Sequence, residues 1–152
     1  MLAFFCQSAP LPKFRAQRTA VFGWLFVKNM FALGMDVDHT FKAESFDLVI
    51  SSAVLHFAEN QQHFDAMLNS MWSALKPGGY FFCRLGSEIG IETLVRFIGN
   101  GRYILPDGSE RFLVNQEMLQ RLTKKLGGQL HEPIKTTNVQ NMRAMTTWCV
   151  RK

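Results

Sequence analysis

Two apolar stretches decide the fold of this sequence: FDLVISSAVLHF at Phe46–Phe57 and LKPGGYFFCRL at Leu75–Leu85. Each contains a run of apolar, β-branched or aromatic residues bounded by polar ones, which is typical of a strand buried on both faces. Between them, NQQHFDAMLNSMWSALK has apolar residues at helical spacing, with Asn60 as N-cap and Pro77-Gly78-Gly79 as the stop. This strand–helix–strand unit predicts two parallel neighbouring strands, because such crossovers are right-handed.

The segments after this unit continue an α/β pattern. IETLVRFIG predicts a helix, and LPDGSERFLV predicts a Pro-Asp-Gly turn leading into a short extended run. Asn115 is the predicted N-cap of the helix QEMLQRLTKKLGG. QLHEPIKTTNVQ and AMTTWCVRK then predict two closing strands joined through Asn141–Arg143.

The sequence divides near Gly34. Residues 1–33 form an atypical apolar and basic segment in which Arg15–Leu33 predicts a helix, since no proline interrupts it. Residues 34–152 predict an α/β domain. At 152 residues and 17.4 kDa, the chain is long enough for one domain with a buried core.

Charge and cysteine usage narrow the classes of function. The formal charge is +5, and residues 111–152 carry eight Lys/Arg against two Asp/Glu. This excess would attract anions, but no nucleic-acid motif accompanies it. Cys6, Cys83 and Cys149 have no metal-ligand spacing and indicate reduced thiols. No apolar stretch is long enough to span a bilayer and no signal peptide is evident, so we expect a cytoplasmic protein without a membrane partner.

The order strand, loop, helix, KPGG, strand, helix and terminal strand pair resembles the C-terminal half of class I S-adenosylmethionine-dependent methyltransferases. ESFDLVISSAVLHF is similar to that family's fourth strand and following loop, and WSALKPGGYFFCRL to its fourth helix and fifth strand. The resemblance implies a partial Rossmann-like sheet with equivalents of strands four to seven and flanking helices. It also implies S-adenosylmethionine as cofactor and a small-molecule methyl acceptor, because no Asn/Asp-Pro-Pro-aromatic motif of DNA-modifying members follows the fourth strand.

In this family the cofactor lies across the carboxyl ends of the parallel strands, where strand order reverses. The implied cofactor contacts are Ser51, Ser52, Ala53, Val54 and Leu55. The resemblance places His56 on the substrate side as a candidate general base, and Asp36 near the adenine. The residues by themselves leave alternatives open: Ser51 and Ser52 would satisfy local backbone groups, and His56 would pack at a loop–helix junction.

The sequence departs from the family before Phe46. The family's first strand ends in an acidic, glycine-rich turn, whereas the only glycines here are Gly23 and Gly34. Strands one to three with their helices need roughly 90 residues, so we do not expect them in the preceding segment. DLVIS is then predicted to be an exposed strand edge. Residues 1–33 would cover it, the protein would form a homo-oligomer through it, or the native protein would be longer.

Three hypotheses follow. The first is a methyltransferase-like protein acting on a small molecule, truncated in this chain, with its independent activity left open. The second is a non-enzymatic interaction or oligomerisation protein on a degenerate methyltransferase fold, which the missing glycine-rich turn favours. The third is an anion- or RNA-binding module based on the basic C-terminal third, which charge alone supports.

Overall fold

A computed structural model describes residues 2–6, 30–33 and 42–152. In these residues a mixed α/β architecture is built from a central sheet, a small second sheet and two α-helices. The elements in chain order are β1 Leu2–Cys6, β2 Met30–Leu33, β3 Phe46–Ser52, a 3-10 helix Leu55–Phe57, α1 Gln61–Ala74, β4 Leu75–Ser87, β5 Arg96–Gly99, β6 Arg102–Ile104, β7 Glu110–Phe112, α2 Gln116–Lys125, β8 Gln129–Leu130, β9 Lys135–Val139 and β10 Arg143–Arg151.

The β3–α1–β4 unit forms as the sequence predicts. Strands β3 and β4 are parallel neighbours, with Val49 opposite Phe81 and Ser51 opposite Cys83. Asn60 caps α1, since its Oδ1 accepts a hydrogen bond from the His63 N–H at 2.8 Å. The helix ends at Ala74, so the KPGG stretch belongs to the start of β4 and not to a separate turn.

The prediction of an exposed β3 edge is wrong. Strand β1 pairs with β3 in parallel, Leu2 opposite Leu48, and β2 pairs with β1 on its other side. The described order of the main sheet is β2-β1-β3-β4-β10-β8, with β9 also paired to β10. Of the three alternatives predicted for this edge, the structure shows the first: part of the N-terminal segment pairs with β3. The edge of β3 is therefore not available for a homo-oligomer.

The predicted helix Arg15–Leu33 is wrong at its C-terminal end, because Met30–Leu33 is the strand β2. Parallel pairing with β1 satisfies the backbone of these four residues and overrides their helical propensity. Residues 15–29 of the prediction lie outside the described residues. The division of the chain at residue 34 stays a prediction.

One face of the main sheet carries the core. Both helices contribute to it, and Trp148 on β10 packs edge-on against Phe81 with ring centroids 5.7 Å apart. Phe112 of β7 stacks on Phe64 of α1 at 4.7 Å, which ties the small sheet to this core. Its largest fully buried side chains are Trp148, Phe46, Phe64, Phe81, Phe112, Leu55, Leu68, Met71, Leu75, Leu85, Ile91 and Leu119.

The C-terminal half confirms most sequence predictions and overturns one. Asn115 caps α2, and β9 and β10 form the expected antiparallel pair, although the predicted strand QLHEPIKTTNVQ is divided into β8 and β9. IETLVRFIG is not a helix: Arg96–Gly99 pairs with β6 in an antiparallel sheet of β5, β6 and β7. Pairing with β6 overrides the helical spacing, and the tight turn between the two strands places Gly101 at a φ of +80°, which glycine adopts without strain.

Candidate functional site

The carboxyl ends of three parallel strands meet at one edge of the main sheet. Strands β1, β3 and β4 run in the same direction and end at Cys6, Ser52 and Ser87. Open α/β sheets bind ligands at this edge, at the point where successive crossovers turn to opposite sides. The order β2-β1-β3-β4 places that point between β1 and β3. The loop after β3 is therefore at the position where a ligand is expected.

The predicted cofactor contacts at the end of β3 divide between surface and interior. Ser52 and Ala53 are partly exposed. Ser51 is fully buried, and its hydroxyl has no hydrogen-bonding oxygen or nitrogen partner among the described residues. Its register partner Cys83 offers only a weakly hydrogen-bonding thiol, and burial raises the pKa of that thiol to about 12.

The next two residues pack into the core. Val54 is 3% exposed and Leu55 is fully buried, so their side chains stabilise the loop from beneath. Ala53 adopts a φ of +58°, and its N–H donates to the Arg84 carbonyl at 2.8 Å. This turn directs the chain into the 3-10 helix. Asp36, the predicted adenine contact, lies outside the described residues, three positions after the end of β2.

His56 sits in this 3-10 helix and is 8% exposed. The Gly86 N–H donates to His56 Nδ1 at 3.1 Å. Burial, together with the positive charges of Arg111, Arg143 and Arg84, lowers the pKa of His56 to about 4. The ring is therefore neutral at physiological pH, and we assign the proton to Nε2 because Nδ1 is an acceptor.

This tautomer disfavours the predicted role of His56 as general base. In a neutral imidazole only the unprotonated nitrogen can accept a proton, and here that nitrogen already accepts the Gly86 N–H. Nε2–H remains as a hydrogen-bond donor. Gly86 permits the approach, since a Cβ there would lie 3.3 Å from the His56 Cβ and 3.1 Å from Leu113 Cδ2. His56 is therefore a hydrogen-bond donor through Nε2–H, and its bond from Gly86 holds the ring in one orientation.

A small cleft of about 40 Å³ adjoins His56. Its polar walls come from Asp107, Ser109, Arg111 and Arg143. The first three lie in LPDGSERFLV, where the sequence predicts a turn followed by an extended run. Arg143 opens β10, and no local signal in the sequence distinguishes it from other basic residues of the C-terminal third.

A larger cavity of about 540 Å³ lies on the sheet face opposite α1 and α2. Its described lining is Leu48, Ile50, Ser52, Tyr80, Phe82, His131 and Cys149. The first five of these lie on β3 and β4, where they alternate with the core-facing side chains, as the two-residue period of a strand requires. Ser52 connects this cavity to the carboxyl edge.

Among the described residues are possible metal ligands, cysteines and helices, which bear on the kind of site present. No group of three or more His, Cys, Asp or Glu in this part of the chain is arranged to hold a metal ion. Cys83 and Cys149 are buried and unpaired by disulfides. Among the described helices, none has the length and apolar character needed to cross a membrane.

Comparison with known proteins identifies the fold. A family described as a methyltransferase domain matches residues 15–83. A search of curated proteins found no match. Solved structures that match include 1,6-didemethyltoxoflavin-N1-methyltransferase of Burkholderia thailandensis, bound to 1,6-didemethyltoxoflavin and S-adenosylhomocysteine. Its TM-score is 0.60 at 14% identity, and the match covers 81% of this chain and 51% of that one.

Two further structures agree. An S-adenosylmethionine-dependent methyltransferase of Methanosarcina mazei matches with a TM-score of 0.61 at 13% identity, covering 82% of this chain and 68% of that one. The N-methyltransferase NodS of Bradyrhizobium japonicum, in complex with S-adenosylhomocysteine, matches with a TM-score of 0.55 at 15% identity, covering 81% and 54%. The chain thus spans about half to two thirds of the length of these proteins.

Proposed function

We propose that this chain, whose fold is that of class I S-adenosylmethionine-dependent methyltransferases, binds S-adenosylmethionine at the carboxyl edge of β1, β3 and β4. It would transfer the methyl group to a small molecule. The observation that carries the proposal is the loop after β3, which sets Ser52 and Ala53 at this edge and the fixed donor His56 beside a polar cleft. Matched structures that contain S-adenosylhomocysteine support the choice of cofactor.

The described residues fit one wall of such a site. The partly exposed Ser52 hydroxyl supplies a polar group at the end of β3, whereas the predicted contact Ser51 is fully buried. Ser52 and Ala53 would contact the cofactor directly, while Val54 and Leu55 would hold the loop against the core. Asp36 remains the proposed contact for the adenine; in the sequence it comes three positions after Leu33, the last residue of β2.

The bound cofactor would supply an electrophilic methyl group on a sulfonium. Such a transfer needs little acid–base assistance when the acceptor is already nucleophilic, so the task of the protein is to position the acceptor and exclude water. His56 would position the acceptor, because the Gly86 N–H binds its Nδ1 and holds its Nε2–H donor in one orientation. The apolar side chains of Leu105, Leu113 and Met145 line the same cleft and reduce its hydration.

Calorimetric titration with S-adenosylhomocysteine tests this proposal. We expect saturable binding tighter than ~100 μM, which corresponds to about −5.5 kcal/mol. Ser52→Gln should weaken it by crowding the edge. Ser73→Gln makes the same change on the exposed surface of α1 and should leave it intact. A folded protein that shows no binding heat, or equal effects of the two variants, would remove the cofactor site from the end of β3.

A second candidate is a non-enzymatic interaction protein on this fold. The segment that follows β1, QSAP, contains no glycine, whereas the family places a glycine-rich turn there. This reading predicts a correctly folded chain that does not bind S-adenosylhomocysteine. Sedimentation velocity would then show whether the chain itself forms oligomers.

A further inference from the structure

The cleft beside His56 has a polar rim and an apolar base. Arg111 comes from β7, Arg143 from the first residue of β10, and Asp107 and Ser109 from the turn between β6 and β7. Its base is formed by Leu105, Leu113, Ala144 and Met145. The volume of about 40 Å³ is roughly three times the ~10–15 Å³ that one water needs. The cleft therefore has room for a functional group of a few atoms.

Positive charge dominates this cleft. Two guanidinium groups line it against one carboxylate, that of Asp107. Its Oδ1 accepts hydrogen bonds from the Ser109 N–H at 2.9 Å and from the Ser109 hydroxyl, while its Oδ2 faces the Arg143 guanidinium. These bonds, the hydroxyl first, lower the pKa of Asp107 and keep it ionised. Its contact with Arg143 Nη2 is 3.7 Å, which is beyond hydrogen-bonding distance.

The two arginines retain donors for a ligand. Among the hydrogen bonds between described residues, none uses the Arg143 guanidinium, whose side chain is 55% exposed. Arg111 gives one nitrogen to the Glu110 carbonyl, and its guanidinium packs over the Phe57 ring at 4.7 Å. Stacking fixes the plane of this guanidinium and leaves its other N–H groups available. An arginine held in this way is suited to bidentate recognition of a carboxylate.

His56 adds one more hydrogen-bond donor to those of the two arginines. Its Nδ1 is occupied by the Gly86 N–H, so the ring contributes Nε2–H and no lone pair. Against the donors of two guanidinium groups and the His56 ring, the side-chain acceptors in this cleft are the Asp107 carboxylate and the Ser109 hydroxyl, so donors and positive charge are in excess. We propose that the cleft binds a carboxylate and that the methyl acceptor is therefore a small carboxylic acid; the second half of this inference rests on the proposed methyl transfer.

Titration of the full chain with acetate and with acetamide tests the inference. The two probes have the same size, but only acetate is charged. At constant ionic strength we expect acetate to shift the Gly86 amide in ¹H–¹⁵N spectra saturably, and acetamide to leave it in place. Arg111→Gln and Arg143→Gln should each weaken acetate binding about tenfold, the equivalent of ~1.4 kcal/mol. Arg143→Lys should weaken acetate binding less than Arg143→Gln, because lysine keeps the positive charge and loses only the bidentate donor geometry of the guanidinium.

Arg121→Gln is the matched control, since it removes a guanidinium from the exposed face of α2 and should not change acetate binding. Equal shifts by acetate and acetamide, or equal losses in the Arg121 and Arg143 variants, would overturn the inference, since both mean nonspecific binding. Spectra of each variant show whether it is folded. Acetate binding without S-adenosylhomocysteine binding would refute the proposed function and leave an anion site; the reverse result would refute only the carboxylate cleft.

Discussion

Acidification should destabilise the fold through His56. Burial, assisted by the nearby arginines, lowers its pKa from 6.5 to about 4 in the folded state. Below pH 6.5 the His56 ring binds a proton in the unfolded chain but stays neutral in the folded chain, so the free energy of unfolding falls as the pH falls. The contribution of the neutral ring is complete above pH 6.5 and is lost progressively down to pH 4.

The two pKa values set the size of the effect. At ~1.36 kcal/mol per unit, the His56 contribution amounts to about 2 kcal/mol lost by pH 5 and about 3 kcal/mol lost by pH 4. This is a large share of the roughly 5–15 kcal/mol that stabilises a typical domain. The carboxyl of Asp107 does not share this window, because its pKa is lowered from 3.8 and it stays ionised at pH 5.

Urea denaturation at pH 8, 7, 6 and 5, followed by tryptophan fluorescence, measures the loss. His56→Asn removes the titrating ring but keeps a carbonyl oxygen that can accept the Gly86 N–H. We expect this variant to have a lower free energy of unfolding than the wild type at pH 8. Between pH 8 and pH 5 its free energy of unfolding should fall by about 2 kcal/mol less than that of the wild type. His131→Asn removes an exposed imidazole and should retain the full wild-type loss. Parallel pH profiles for the wild type and His56→Asn would refute the reasoning.

Two further predictions concern backbone positions that the structure constrains. Gly101→Ala should destabilise more than Gly108→Ala: both have a φ near +80°, but only at Gly101 would a Cβ lie 2.2 Å from the Phe112 ring. We expect the free energy of unfolding to fall by about 1 kcal/mol from backbone strain in both variants, and by a further ~1–3 kcal/mol from the clash in Gly101→Ala. Thermal unfolding measures both losses, and equal losses in the two variants would contradict the prediction. Asn60→Ala and Asn115→Ala should each cost about 1 kcal/mol, whereas Ser or Asp at these N-caps should restore most of the loss; a cap variant with unchanged urea midpoint would show that its helix needs no cap.

Local sequence determines the unit on which the fold is built. The apolar run of β3, the helical spacing of α1 and the side chain of Asn60 each act within a few residues, so the pattern alone predicts them. The same holds for the second cap at Asn115 and for the closing strand pair. These elements carry the resemblance to the methyltransferase fold that the structural comparisons confirm.

Tertiary structure alone determines which strand pairs with β3 on the side away from β4. LAFFC at Leu2–Cys6 has no alternating pattern or turn signal that marks it as the partner of β3, more than forty residues away. Arg96–Gly99 looks helical by periodicity but pairs as a strand, because a hydrogen-bonded neighbour outweighs the small propensity differences involved. Pairings between distant segments depend on the whole sheet and cannot be derived from a short window.

The site shows the same division. The sequence locates the loop after β3 and names Ser51 to His56 as its residues. Only the folded chain shows that Val54 and Leu55 are buried, that Gly86 occupies Nδ1 of His56 from thirty positions away, and that Arg143 meets Arg111 across one cleft. Residue type fixes what each group can do, but burial and strand register decide its protonation and its neighbours, and these are properties of the assembled fold.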